Sequence, residues 1–203
     1  MIDPSPSPIV EFESLTPPVS WAEVFGNDHP VELEVGSGKG LFLANAAKAH
    51  PGRNFFGIEM ARKYARRAAE RVAKQELANV RVLPGDARHF LARFVPPMSL
   101  EAVHVYFPDP WWKTRHRKRR VFAEPLVVDV ERILRPGGNL HVVTDVEEYY
   151  GVIRALMATH PRFLIQPEHL PTAPEHDHDY LTNFERKYRI EGRPIYRASY
   201  RLD

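Results

Sequence analysis

Short apolar runs alternate five times with longer helical stretches between residues 31 and 160, and this pattern constrains the fold more than any other feature. The apolar runs predict strands at 31–35, 54–59, 80–83, 102–107 and 140–144. The remaining stretches predict helices at 40–50, 61–77, 87–94, 125–134 and 146–160, with a turn at 135–138. Repeated units of this kind form a largely parallel sheet with right-handed crossovers and helices on both faces. Alternation over 196–202 predicts one more, half-exposed strand.

The chain of 203 residues is long enough for one domain with a full core, predicted over residues 21–203. Residues 1–20 begin with MIDPSPSPI, whose alternating Ser and Pro predict a disordered extension. The sequence has no cysteine, which excludes disulfides and thiolate-ligated metals and fits a reducing cytoplasm. No apolar run reaches the length of a membrane span, so no membrane partner is predicted.

An acidic residue stands at or just after the end of each of the five predicted strands. The five are Glu34, Glu59, Asp86, Asp109 and Asp145. In open sheets of parallel strands, ligands bind beyond the carboxyl ends of the strands, which is where these acids are expected. Asp and Glu also cap helices, so two or three of the five are expected to act as caps. We interpret the row as the lining of a ligand site.

The first predicted strand is followed by a glycine turn, EVGSGKG, with Gly36, Gly38 and Gly40. A dinucleotide-binding turn would have its third glycine where Leu41 stands. A P-loop would have Ser or Thr in place of Gly40 and a leading glycine in place of Leu33. A glycine turn rimmed by acids suits a ligand that carries positive charge and no phosphate. S-adenosylmethionine is such a ligand, and Glu59 is placed to bind its ribose hydroxyls.

The stretch 105–120, VYFPDPWWKTRHRKRR, combines three features that packing alone does not require. Pro108 and Pro110 restrict the backbone around Asp109 and help to fix the direction of its carboxylate. Two tryptophans follow, and one of them offers a flat face for a base or a cofactor. Six lysines and arginines then stand within residues 113–120 and are suited to bind phosphates. The stretch therefore predicts a methyl-acceptor site joined to a nucleic-acid grip.

Basic residues are distributed unevenly, although the net charge is only +2. They crowd into 62–74 and 113–120 and recur through 186–201. Uneven basic charge of this kind indicates a polyanionic partner.

Several motifs, in this order and spacing, resemble the bacterial tRNA (guanine-N7-)-methyltransferases. They are VELEVGSGKG, FFGIEM, LPGDA, VYFPDPWWKTRHRKRR, VVTD and TNFERKY. The similarity runs from about residue 31 to the end, and FPDPW-x-K-x-R-H-x-K-R-R is its most specific part. Trp112 departs from the family pattern, which has a smaller or polar residue there, and this bears on local packing only.

The resemblance implies a Rossmann-like class I methyltransferase fold, with a mostly parallel seven-stranded sheet and an antiparallel C-terminal strand. It implies a methyltransferase that uses S-adenosylmethionine and modifies N7 of a guanine in the variable loop of tRNA. By the family pattern, Glu34, Glu59, Asp86 and Asp109 bind the cofactor, and Asp109 is also catalytic. The substrate guanine region is bound by Lys113, Asp145, Thr182, Asn183, Phe184 and Glu185. The tRNA is bound by Arg115, His116, Arg117, Lys118, Arg119 and Arg120.

Two other functions stay open from the sequence. A methyltransferase of exocyclic amines in adenine or cytosine carries a D-P-P-Y-like loop after its fourth strand, and FPDPWW is similar to it. An RNA-binding protein on the same fold, with no catalytic activity, is the other.

The segment PEHDHDY (174–180) offers His176 and His178 but no third ligand, so no metal is predicted. The oligomeric state is not determined by the sequence.

Overall fold

The computed structural model describes residues 7–111, 115, 120–167 and 182–203, with no side chain described for residues 183, 184, 186 and 188. The chain falls into two compact units, one ending at Val95 and the other beginning at Pro96. The extent of the predicted single domain stays a prediction. No helix within the described ranges is both long and apolar enough to cross a bilayer.

The first unit holds three strands and four helices among its described residues. In chain order they are α1 (Trp21–Phe25), β1 (Val31–Val35), α2 (Leu41–Ala49), β2 (Asn54–Glu59), α3 (Arg62–Lys74), β3 (Val80–Pro84) and α4 (Ala87–Phe94). The strands run parallel in the order β3-β2-β1. Every residue of β1 and β3 is buried, as the apolar runs predict. The predicted bounds of β1, β2 and α4 are confirmed.

The second unit holds four strands and three helices in its described part. In chain order they are β4 (Leu100–Tyr106), α5 (Glu124–Ile133), β5 (Leu134–Thr144), α6 (Glu147–Met157), β6 (Phe163–Ile165), α7 (Asn183–Ile190) and β7 (Tyr196–Leu202). Strand β4 runs parallel to β5, and β7 runs antiparallel to both β5 and β6. The predicted α/β fold, with seven strands that are mostly parallel and an antiparallel strand at the C-terminus, is confirmed.

One prediction about local structure in this unit is wrong. The turn predicted at 135–138 is instead part of β5, because Leu134 already pairs with Leu100. The register then shifts between Leu100 and Ala102, and Gly137 at φ 79° accommodates the irregular backbone. Helix α7 begins at Asn183, and the Thr182 hydroxyl accepts a hydrogen bond from the Glu185 amide at 3.0 Å.

Residues 7–20, which the sequence predicts to be disordered, lie against the first unit. Ile9 forms a parallel bridge with Val82 of β3, and the amide of Val10 donates to the Val82 carbonyl at 2.9 Å. The Val82 amide in turn donates to the carbonyl of Pro8 at 2.7 Å. A short 3₁₀ turn places the Phe12 ring 5.4 Å from that of Phe94. Apolar residues at 9, 10 and 12 therefore hold a segment whose neighbouring Ser and Pro favour disorder.

Candidate active site

The glycine turn after β1 is fastened to the end of β2 by backbone hydrogen bonds. The amides of Gly36 and Ser37 both donate to the carbonyl of Ile58, at 2.8 and 3.0 Å. Gly40, at φ 69°, begins α2, and a Cβ there would lie only 2.7 Å from the Cβ of Ala68 on α3. Gly38 also has a positive φ, but a Cβ there would meet nothing within 4 Å. The turn thus needs glycine for its backbone and leaves one backbone surface open to a ligand.

The Glu59 carboxylate joins this turn to the start of α3. Its Oε2 accepts a hydrogen bond from the Gly38 amide at 2.9 Å, and its Oε1 accepts one from the Ala61 amide at 2.8 Å. Each oxygen keeps a further lone pair that can accept from a hydroxyl. Glu59 is therefore placed and oriented as a ribose-binding carboxylate requires, and its contact with the cofactor stays a prediction.

Glu34 and Ser37 place two unpaired polar atoms beside the same turn. Both side chains are buried, and neither the Glu34 Oε2 nor the Ser37 Oγ has a hydrogen-bond partner among the described residues. Burial, together with the nearby charge of Glu59, raises the pKa of Glu34 well above its ordinary value. Because buried polar atoms in proteins are normally paired, these two are suited to donors on a bound ligand. The residues present therefore fit a ligand with positive charge and hydroxyls.

Asp86 is the one acid of the five that acts as an ordinary helix cap. Its carboxylate accepts a hydrogen bond from the Arg88 amide at the start of α4, at 2.9 Å. The Arg88 guanidinium also lies 3.7 Å from the Asp86 Oδ2. The sequence predicts two or three helix caps among the five acids, and the structure shows this one. The predicted cofactor contact of Asp86 stays a prediction.

In the second unit, Asp109 lies on a loop with an uncommon backbone. Phe107 and Trp111, on either side of the FPDPW loop, have φ values of 52° and 38°, which bulky residues rarely adopt. The Phe107 amide donates to the Val143 carbonyl at 2.7 Å, which ties the start of the loop to β5. Asp109 itself is exposed. A strained loop that presents one carboxylate is typical of a functional site.

Arg120 secures the far side of this loop. Its Nε donates to the Pro110 carbonyl at 2.6 Å, and its guanidinium lies 5.2 Å from the ring centroid of Tyr149. Tyr149 is fully buried, and burial raises the pKa of its phenol to about 12. The Tyr149 hydroxyl donates to the carbonyl of Phe122 at 3.4 Å. Arg120 therefore positions the loop, and its predicted contact with tRNA stays a prediction.

Two predicted substrate-binding acids of the second unit are paired with arginines. Asp145 follows β5 and forms an ion pair with Arg193, through its Oδ2. Glu185 is 2% exposed, and its Oε1 lies 2.8 Å from the Arg189 Nη2 and 2.5 Å from the Arg197 Nη2. Its second oxygen, Oε2, is buried without a hydrogen-bond partner in the part of the chain that is described.

The remaining predicted site residues are placed as follows. Thr182 is buried and caps α7. Arg115 is exposed. Asn183 and Phe184 begin α7. Outside the described residues lie Trp112, Lys113, His116, Arg117, Lys118, Arg119, His176 and His178. Within the described ranges, no cluster of three His, Asp or Glu side chains is arranged to hold a metal ion.

The sequence predictions omit four residues that the structure brings to these sites. They are Ser37, Arg189, Arg193 and Arg197. The three arginines recur every four residues from position 189, but α7 ends at Ile190, so helical periodicity does not explain their shared role. The only sequence signal for Ser37 is its place between Gly36 and Gly38, the position x of the G-x-G pattern.

Comparisons with known proteins identify the family of this chain. Residues 28–198 match the model of a family described as "Putative methyltransferase". The chain is 46% identical over 200 residues to a tRNA (guanine-N(7)-)-methyltransferase of Rhodopirellula baltica, covering 93% of this chain and 72% of that protein. Proteins with the same name from Geobacter metallireducens and Myxococcus xanthus are 35% and 34% identical, and this chain covers 90% and 94% of their lengths. These two matches span 93% and 95% of the length of this chain.

Solved structures show the same fold at lower identity. The 16S rRNA methyltransferase KamB superposes with a TM-score of 0.64 at 17% identity, over 90% of this chain and 92% of that one. A 30S ribosomal A1408 methyltransferase from an uncultured bacterium gives 0.59 at 14% identity, over 90% and 92%. Similarity at this level concerns the fold, while the curated relatives match more than nine-tenths of the length of this chain at 34–46% identity. The chain belongs to the tRNA (guanine-N7-)-methyltransferase family.

Proposed function

We propose that this protein transfers a methyl group from S-adenosylmethionine to N7 of a guanine in the variable loop of tRNA. The relatives that carry this name cover nearly the whole chain. The observation that carries the proposal is the glycine turn of the first unit, where Glu59 accepts two backbone amides and Glu34 is buried and unpaired. Because the substrate is tRNA, we place the reaction in the cytoplasm.

The donor site is assigned to the first unit. When bound, S-adenosylmethionine supplies an electrophilic methyl group on a positively charged sulfur. Glu59 is suited to the ribose hydroxyls, since both of its oxygens are already oriented by amides. Glu34 and Ser37 offer buried acceptors beside the open backbone of Gly38. These groups bind and orient the donor, and the negative charge of the Glu59 carboxylate favours a cation over a neutral analogue.

The acceptor atom requires no general base. Guanine N7 has a free lone pair and no proton, so its methylation leaves no proton for a side chain to remove. The protein must instead hold N7 in line with the methyl carbon and the sulfur, which is a task of proximity and orientation. A guanine in a paired A-form stem presents N7 in a groove that side chains do not reach, so a guanine in a loop is the expected target.

The guanine edge is assigned to carboxylates of the second unit. The Oε1 of Glu185 is fixed by two arginines, and its unpaired Oε2 is left to accept from guanine N1–H or N2–H₂. Asp109 presents a second carboxylate on the loop that Arg120 secures. This carboxylate stabilises the positive charge that the base acquires on methylation.

The test is methyl transfer by the purified protein with labelled S-adenosylmethionine and an unmodified tRNA transcript, followed by nucleoside analysis. We expect label in 7-methylguanosine, and none when the transcript carries 7-deazaguanine, which has carbon in place of N7. Label in an N-methylated adenine or cytosine would identify an exocyclic-amine methyltransferase instead. Tight tRNA binding with no label in any nucleoside would identify an RNA-binding protein without this activity.

A further inference from the structure

The outer face of α3 carries basic residues that the proposed active site does not use. Four of them, Lys63, Arg66, Arg67 and Lys74, are exposed, and we name this set the α3 basic face. The opposite side of the helix is buried through Ala65, Ala68, Ala69 and Val72. Lys63, Arg67 and Lys74 are spaced so that they lie along one line of the helix, over roughly 16 Å at the ordinary helical rise.

The four residues of the α3 basic face form no ion pair with a described carboxylate. Three arginines elsewhere in the first unit do: Arg53 pairs with Glu32, Arg62 with Glu11 and Arg88 with Asp86. Glu70 stands four residues after Arg66 and four before Lys74, which is the spacing of i,i+4 pairs, yet neither residue pairs with it in the described structure. The positive charge of this face is therefore left for a partner.

An aromatic ring stands at one end of this face. Tyr64 is 37% exposed, and the ammonium groups of Lys39 and Lys63 lie 5.9 and 5.4 Å from its ring centroid. The Arg71 Nε donates to the Lys39 carbonyl at 3.0 Å, so α3 and the glycine turn are held together at this point. An exposed aromatic ring between cations is the combination with which proteins bind RNA.

We propose that the α3 basic face is a second tRNA-binding surface, which contacts phosphates, with Tyr64 as a platform for a base or ribose. This rests on the proposed function, since tRNA is the polyanion that the enzyme must hold. The occupant follows from charge complementarity: four unpaired cations in a row, with one carboxylate among them, match a phosphate backbone. The surface lies on the same unit as the predicted donor site and is separate in sequence from residues 113–120.

The experiment measures tRNA affinity and its salt dependence for K63Q/R67Q, with K48Q/R93Q as the matched control. The control removes the same charge from exposed positions of the same unit outside α3. We expect K63Q/R67Q to bind tRNA roughly tenfold more weakly, with the log–log salt slope reduced by about 1.5, because two phosphate contacts are lost. E70Q should bind more tightly, an outcome that loss of folding does not produce.

Two further measurements separate this proposal from the proposed function. The affinity of K63Q/R67Q for S-adenosylmethionine and its single-turnover methyl transfer at saturating tRNA should match wild type. The proposal of a second tRNA-binding surface would be overturned if K63Q/R67Q had the tRNA affinity and salt slope of wild type. It would also be overturned if K48Q/R93Q lost as much tRNA affinity as K63Q/R67Q. Absence of 7-methylguanosine with the wild-type enzyme would overturn the proposed function, while the salt slopes would still report on the surface.

Discussion

Two site acids of the first unit, Glu34 and Glu59, differ from two of the second, Asp145 and Glu185, in the partners that hold them. In the first unit, Glu59 is bound by the backbone amides of Gly38 and Ala61, and Glu34 has one oxygen with no partner among the described residues. In the second unit, Asp145 and Glu185 are bound by arginine side chains. Amides orient a carboxylate without cancelling its charge, whereas a guanidinium does both.

This difference matches the two substrates of the proposed reaction. A cationic donor is favoured by a negatively charged site, and in the first unit the Glu59 carboxylate is bound by amides, which leave its charge in place. An RNA acceptor is an anion, which unpaired carboxylates would repel. Pairing with arginine removes that repulsion and still leaves a lone pair, such as that on the Glu185 Oε2, for the N–H groups of guanine. The same residue type therefore serves as a charge in one unit and as a neutralised acceptor in the other.

The largest effect is expected for Asp109, a predicted site acid of the second unit that forms no ion pair with a described residue, unlike Asp145 and Glu185. Asp109→Asn keeps its shape and removes its charge, so single-turnover methyl transfer at saturating tRNA and donor should fall by roughly 10²–10³-fold. Affinity for tRNA should change little. A rate within about threefold of wild type would show that Asp109 only shapes its loop and that the charge needed for catalysis lies elsewhere.

A smaller effect, on the donor alone, is expected for Glu59→Ala. The variant loses hydrogen bonds between a charged carboxylate and the ribose hydroxyls, so affinity for S-adenosylmethionine should fall by roughly 10- to 100-fold. Isothermal calorimetry measures this, and filter binding should give near-normal tRNA affinity. If both affinities fall together, the assignment of the donor to the first unit is wrong.

Arg197→Met tests the neutralised acids of the second unit. Glu185 would keep Arg189 but lose its 2.5 Å partner, and we expect kcat/KM for tRNA to fall about tenfold and the free energy of unfolding to fall by about 2 kcal/mol. Arg201→Met, on the same strand and exposed, is the control. The double variant E185Q/R197M should regain stability without regaining activity, because it no longer buries an under-paired charge. Full activity in R197M would contradict the role of arginine pairing.

The smallest effect concerns the pH dependence of stability through Glu34. Its pKa is raised in the folded protein, so above the ordinary glutamate pKa of about 4.3 the folded state binds more protons than the unfolded state. The free energy of unfolding should therefore fall as pH rises from that value toward the raised pKa, by up to about 1.4 kcal/mol per pH unit. Urea unfolding of Glu34→Gln should lack this fall, whereas the exposed control Glu23→Gln should retain it. Parallel profiles for wild type and Glu34→Gln would contradict the cause assigned to the shift.

The sequence was most informative where burial decides the structure. The bounds of β1 and β2 follow from VELEV and NFFGIE because strands of a parallel sheet are buried on both faces and are therefore rich in residues such as Val, Leu, Ile and Phe. The glycine turn and its acids are local in sequence, so their place at the end of a strand is also predictable. The short strand β6 and helix α1 carry too few residues for a periodic signal.

The arginine partners of the second unit were not predictable for a different reason. Arg197 contacts Glu185 from β7, and Arg193 contacts Asp145 across 48 positions of the chain. Such pairs depend on where strands and helices end in space, and neither spacing nor periodicity records that. Thr182 and Glu185 do carry a capping-box spacing, a signal for the start of a helix that the sequence predictions did not use.

The segment around Ile9 covers the edge of the sheet that β3 forms. Strand β3 is an edge strand of the sheet. The amide and the carbonyl of its Val82 face away from β2 and could pair with another strand. Pro8 and Val10 form hydrogen bonds with both of these groups. Pro8 has no amide hydrogen, so it cannot donate to a further strand. Residues 8–10 therefore cover a sheet edge that would otherwise be open. In a chain shortened past Phe12 we expect this edge to be exposed, so that a strand of another molecule could pair with β3.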